Sequence, residues 1–180
     1  EPQNSDAEAV FVQNRYRTTE LYQDETGARY RPGQYYYVGG HTKFYGTAMF
    51  RFRASDFDET RHEDGISPRW PVSYADLAPF YAEAEALFGV RGQAGVDPTE
   101  PPRAAGYPHR PIPHEPVIAA LATGLARQGL RPFHMPSAID HGDGGACIRC
   151  GTCDAFACRL DAKGDAETRL LRPALRAGNV

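Results

Sequence analysis

Four cysteines fall between positions 147 and 158, as Cys147-x2-Cys150-x2-Cys153-x4-Cys158, and the chain contains no others. Thiolates at this spacing can turn toward one centre, which suits a soft metal ion or an iron–sulfur cluster. The last gap is four residues and Arg159 follows the last cysteine, so the fit to a cluster loop is incomplete. Structural zinc is the second reading, although zinc sites more often pair two Cys-x2-Cys units across a longer stretch. Disulfides or unligated thiols are the third, and disulfides would require an oxidising compartment.

The other stretch able to do chemistry is Val38-Gly-Gly-His-Thr-Lys-Phe-Tyr-Gly-Thr-Ala-Met-Phe-Arg51. Gly39 and Gly40 lack a Cβ, can take positive φ, and let a bulky anionic or planar cofactor approach the main chain and the amides of the next turn. A plain tight turn is the alternative. His41 follows the pair, where a neutral imidazole can hydrogen-bond a cofactor carbonyl or, alternatively, satisfy local backbone at a helix start. The remaining histidines, His62, His109, His114, His134 and His141, sit in polar or Pro-rich contexts and form no His-x-x-x-His or His-Glu-x-x-His zinc motif. Lys163 is one of two lysines; it can compensate charge near a cofactor, and a solvated lysine before a helix is the commoner case. Tyr35, Tyr36 and Tyr37 offer faces and hydroxyls to a sugar, but alternation along a strand sends neighbours to opposite sides.

Positioning these residues requires short elements and long connections, as 15 Pro and 18 Gly suggest. Alternation around Asp24-Glu-Thr-Gly27 predicts a two-strand hairpin over 10–37, with a strand over 34–38 delivering the chain to Gly39. Phe44, Ala48, Met49 and Phe52 at helical spacing predict a short helix over 42–52, with Phe44, Met49 and Phe52 in the core. Ser73 as N-cap with Asp76 three residues on, followed by Leu77, Phe80, Tyr81, Ala84, Leu87 and Phe88, predicts a helix that stops at Gly89. Residues 89–113 read as a long surface loop, 116–129 as a helix opened by Pro116, and 165–176 as a last helix that Pro173 kinks.

The Gly-Gly run, together with Asp56-Phe57, the stretch Ser67-Pro-Arg-Trp-Pro-Val-Ser-Tyr-Ala-Asp-Leu-Ala-Pro-Phe-Tyr81, Asp97-Pro-Thr-Glu-Pro-Pro102 and the segment from Cys147 to Lys163, resembles the glucose–methanol–choline (GMC) family of FAD-dependent oxidoreductases. The likeness is strongest to the sugar- and gluconate-oxidising bacterial branch. There a Gly-Gly-Ser-Ser-x-x-Asn-Gly-x-x-x-x-Arg run packs against the flavin, matched here by Gly39, Gly40, Thr42, Gly46 and Arg51, with His41 and Tyr45 where Ser and Asn are usual. The resemblance implies cofactor contacts at Gly39, Gly40, His41, Thr42, Tyr45 and Gly46. It implies non-covalent FAD, because Phe44 stands where some relatives carry a flavin-linked His. It also implies oxidation of a CH–OH group of a small alcohol, sugar, sugar acid or glycoside by hydride transfer to flavin, with an electron-acceptor protein as a partner. Some members carry a cysteine-bound cluster, which would make Cys147, Cys150, Cys153 and Cys158 its ligands. No Gly-x-Gly-x-x-Gly turn is present and no catalytic His pair is matched, so the expectation is an internal α+β segment without catalytic residues. Its parts would be 1–60, the end of the FAD-binding region; 61–146, a helix-and-loop substrate or lid region; and 147–180, a cysteine-rich loop and helix returning to the FAD domain. The alternative reading is a cysteine-cluster module, with iron–sulfur or zinc, for electron transfer or structure, or a zinc knuckle serving as an interaction surface.

Composition narrows the classes. Apolar residues make up 41% and charged residues 24% of the 180, ordinary values for a globular domain. The net charge is −3 and the basic residues form no stripe, which argues against a nucleic-acid partner. No apolar run approaches the ~20 residues of a membrane span. A cytoplasmic location is the expectation, with export left open because the chain begins at Glu1.

Overall fold

The computed structural model describes residues 8, 12, 13, 15, 17–142 and 144–179. The fold is mixed α+β, with two small antiparallel hairpins and three α-helices among the described residues. The chain divides into two compact units, one formed by Glu1–Thr47 with Asp140–Val180 and the other by Ala48–Ile139.

In the first unit, β1 (Tyr22–Gln23) pairs with β2 (Arg29–Tyr30). The Asp24 carboxylate closes the turn by accepting from the amides of Thr26 and Ala28 and from the Thr26 hydroxyl, the side-chain mimicry of a turn that Asp favours. The hairpin over 10–37 is thus present in its central part, while Val10 and Phe11 lie outside the described residues. The strand expected over 34–38 is reduced to a bridge between Arg17 and Tyr35.

The helix expected over 42–52 does not form. A four-residue 3-10 turn, Gly40–Lys43, is all that develops. Thr47 takes φ 68, which no helix continues through. Beyond it the Met49 amide donates to the Pro136 carbonyl, so the next residues are held in extended chain. Phe52 is exposed rather than in the core, packing edge-on against Phe57 and Trp70. The end of the chain follows expectation in extent. Asp165 accepts from the Thr168 amide, a π-helical turn covers Glu167–Leu171, and α3 (Arg172–Arg176) follows. Pro173 lies within one unbroken run of helical backbone, directly after the π-helical turn, and its missing N–H falls at this departure from regular α-helix.

In the second unit, β3 (Thr60–His62) and β4 (Gly65–Ser67) form a hairpin about Glu63-Asp64 that sequence patterning did not reveal. α1 (Tyr74–Phe88) begins with the predicted capping box of Ser73 and Asp76 and ends on Gly89 at φ 67. α2 (Pro116–Arg127) begins at Pro116 as expected. Residues 89–113 form a long, largely exposed connection without a helix or strand, as predicted, but its two ends are pinned inward. Val90 is fully buried, Arg91 bridges both His109 and Ser137, and a Cβ on Gly92 would lie 2.6 Å from the Tyr107 ring.

The inward side of α1 carries a charge. Glu85 is buried and takes a two-pronged bond from Arg51 at 2.8 Å to each oxygen, plus a bond from Arg103, which also holds Glu100. Tyr74 accepts from Arg51 and donates to the Pro102 carbonyl. Around this quartet Phe52, Phe57, Trp70 and Tyr74 pack ring to ring at 5.7–6.4 Å. Paired forks of this kind satisfy buried charges that would otherwise be expelled.

Candidate functional site

The Gly39–Gly40 pair adopts the backbone its composition permits, with φ 89 and φ 54. The two residues differ in surroundings. A Cβ on Gly39 would press on the Glu167 amide at 3.3 Å, whereas a Cβ on Gly40 would meet nothing within 4 Å. One glycine is demanded by packing, and the other opens the main chain to space. The amides of Gly40, Thr42, Phe44 and Tyr45 are used within the turn, donating to carbonyls of Tyr37, Gly39 and His41. The turn therefore offers close approach rather than a helix terminus.

Beside it lies a recess of about 350 Å³ lined by Gly33, Tyr35, His41, Phe44, Tyr45, Asp154 and Ala155. Its floor is aromatic, with Tyr35 and Phe44 at 5.5 Å and Tyr37 edge-on to Phe44 at 5.2 Å. His41 is exposed at its edge, 6.4 Å from the Tyr35 ring. Of the three tyrosines, Tyr35 lines the recess and Tyr36 stands largely in solvent, as alternation requires. Thr42 and Tyr45 are turned to structural work. The Thr42 hydroxyl donates to the Gly39 carbonyl and accepts from the Ala166 amide, and the Tyr45 hydroxyl donates to the Gly164 carbonyl. Burial, reinforced by Asp165, pushes the Tyr45 hydroxyl well above its ordinary value, so it stays protonated as a donor. Gly46 lies 3.6 Å, by a Cβ, from the side chain of Asp154.

The cysteine segment folds without regular structure. Arg149, Ala155 and Asp161 take positive φ of 57, 64 and 54, alongside Gly151. Left-handed non-glycine residues cost about 1 kcal/mol each, so surrounding contacts must hold them. All four cysteines are free thiols. Among the described residues no group of three or more His, Cys, Asp or Glu side chains converges to hold a metal ion. Cys150, Cys153 and Cys158 line one apolar hollow of about 370 Å³ with Phe156 and Leu160. The Cys147 sulfur accepts from the Arg149 amide. Bonding to Thr152 pulls the Cys150 thiol below its ordinary value, and burial pushes Cys153 above.

Lysine placement departs most from the sequence reading. Lys163, expected in solvent, is buried to 1% exposure. Its Nζ donates to the carbonyls of Lys43 and Tyr45 at 2.9 Å, of Phe156 at 2.7 Å and of Cys153 at 2.5 Å. Burial pushes its ammonium below the ordinary lysine value. Lys43 is also buried, paired with Asp165 at 3.1 Å and with Glu167. Both lysines of the chain are thus interior. Their scarcity beside 18 arginines was the available signal.

No family model matches the chain. Over 154 residues it is 39% identical to 6'''-hydroxyparomomycin C oxidase of Streptomyces lividus, covering 78% of this chain and 28% of that protein. It is 37% identical to paromamine 6'-oxidase of Streptomyces fradiae, covering 76% of this chain and 25% of that one. It is 32% identical to the gluconate 2-dehydrogenase flavoprotein of Pantoea cypripedii, covering 58% of this chain and 20% of that one. The chain thus spans about a quarter of the length of the first two, and its named relatives are oxidoreductases.

Proposed function

We propose that this chain supplies a flavin-contacting turn to an FAD-dependent oxidoreductase that oxidises a CH–OH group of a polyhydroxylated, sugar-like substrate. The observation that carries the reading is the Gly40 backbone, left-handed and open, beside an aromatic recess edged by His41. The residues fit a planar cofactor. The aromatic faces suit a flat ring, and His41 offers a ring nitrogen. The relatives named for paromamine, hydroxyparomomycin C and gluconate support the substrate class, and the one named a flavoprotein supports the cofactor.

When bound, the flavin supplies the acceptor for a hydride from the carbon bearing the hydroxyl. The chain's own residues shape its seat: Gly40 admits it, Tyr35 and Phe44 exclude water from one face, and Tyr45 stays a neutral donor that anchors the turn. None of these residues is assigned the base that takes the hydroxyl proton. An electron-acceptor partner belongs to this proposal, because the reduced flavin must be reoxidised. The cysteines are given no step in this proposal.

The test is flavin released per mole of the full-length protein. Gly40→Val places a β-branched residue at φ 54, straining the turn and filling the opening, and should lower flavin content at least about ten-fold. Unchanged content would remove the turn from the cofactor site. Anaerobic bleaching of the flavin by paromamine or gluconate, but not by simple primary alcohols, would support the substrate class.

A further inference from the structure

We propose that Lys163 is a positioning residue whose ammonium acts as a tethered cation, clamping the turn at 43–45 to the cysteine segment at 153–156 and so fixing the width of the aromatic recess. Two segments contribute walls to the recess, Phe44 with Tyr45 and Asp154 with Ala155. Lys163 binds the carbonyls that bracket both: those of Lys43 and Tyr45 on one side and those of Cys153 and Phe156 on the other. Four carbonyl oxygens around three N–H groups form a coordination shell of the kind a bound monovalent cation would have, rather than a set of separate pairs. With no charge at its centre, these four acceptors would face one another in the interior.

A main-chain bond also joins the two segments. The Ala155 amide donates to the Phe44 carbonyl at 2.7 Å, and Ala155 itself is held at φ 64. A left-handed alanine between two carbonyls pulled inward by one ammonium is a segment kept in place by that ammonium. Lysine suits the task, because a compact charge with rotatable donors can address four directions, whereas a guanidinium donates only in its plane. The chain follows this division, with arginine at its two-pronged carboxylate pair and lysine here.

The inference concerns the recess, and it deepens the flavin reading only through the shared wall. Its readout is therefore the labelling rate of Cys153 in the full-length protein, with the labelled peptide identified by mass. Lys163→Ala removes the equivalent of a propylammonium ion and should speed labelling at least about ten-fold, the factor for losing one charge-assisted bond. Added n-propylammonium chloride should restore the slow rate, and tetramethylammonium chloride, which has no N–H, should not. Labelling at the parent rate, or equal recovery with both salts, would overturn the clamp. Should the variant fail to accumulate, reductive dimethylation of the unmutated protein strips donors from Nζ. Molecules dimethylated at Lys163 should then label faster at Cys153, and parity with untreated protein would overturn the proposal. A flavin-free protein that still shows the propylammonium effect would refute the flavin reading and leave the clamp standing.

Discussion

In the unit Ala48–Ile139 the buried charges are guanidinium and carboxylate groups meeting in two-pronged pairs, whereas in the unit of Glu1–Thr47 and Asp140–Val180 they are lysine ammonium groups set partly among backbone carbonyls. The first arrangement joins side chain to side chain, tying α1 at Glu85 to extended chain at Arg51 and Arg103 inside an aromatic cluster. In the second, Lys43 pairs with the carboxylates of Asp165 and Glu167, while Lys163 joins side chain to main chain and fixes the path of loops. The difference follows from what each must hold. A helix presents side chains because its carbonyls are already bonded internally, while an irregular segment presents free carbonyls. The buried arginines therefore serve the regular unit and the buried lysines the irregular one, which carries the open glycine and the recess.

The comparison can be broken most severely at Glu85. Glu85→Ala leaves Arg51 and Arg103 buried without their shared partner, and a cost of about 3–5 kcal/mol is expected. Urea unfolding followed by proteolysis within 48–139 measures it, and a loss below 1 kcal/mol would mean the quartet is not a unit. Exchanging the two cations sharpens the contrast. Arg51→Lys forfeits the two-pronged bond to Glu85, and Lys163→Arg forces a planar fork into a carbonyl shell, so each should lose about 2 kcal/mol despite keeping its charge. Full stability in either swap would show that charge alone suffices there.

Acid gives the smallest effect. Burial raises Glu100, but the Gly95 amide, Arg103 and Tyr107 outweigh it, and the result lies below the ordinary value of 4.5. Burial likewise raises Glu167, but Lys43 and Arg172 outweigh it, and it too lies below 4.5. A carboxylate held lower in the folded than in the unfolded state contributes stability that is complete above pH 4.5 and lost as pH falls through the folded value. Unfolding midpoints measured downward from pH 5 should fall, with Glu100→Gln and Glu167→Gln each removing part of the slope. A slope unchanged in both variants would place the acid sensitivity elsewhere.

Legibility varied with how local the physics was. The capping box at Ser73 and Asp76, the turn at Asp24, the stop at Gly89 and the start at Pro116 are decided within one or two turns of chain, and all four stand where the sequence pattern puts them. The helix expected over 42–52 failed because a positive φ at Thr47 and a bond to the Pro136 carbonyl, 87 positions from Met49, outweigh local spacing. Among candidate site residues, the left-handed backbone of Gly39 and Gly40 could be read from residue type. The same run's Thr42 and Tyr45 turned out to anchor residues 164 and 166.

By itself, then, the sequence determined where the backbone can be left-handed and open, which segments can start and stop helices, and that the cysteines share one loop, because these follow from covalent chemistry and near neighbours. Tertiary structure alone decided that Lys43 and Lys163 are interior and that Glu85 lies beneath two arginines. Each draws on partners far along the chain, from 18 positions for Glu85 and Arg103 to 122 for Lys43 and Asp165. The burial of a charge is favourable only when such partners arrive together, which no local pattern records.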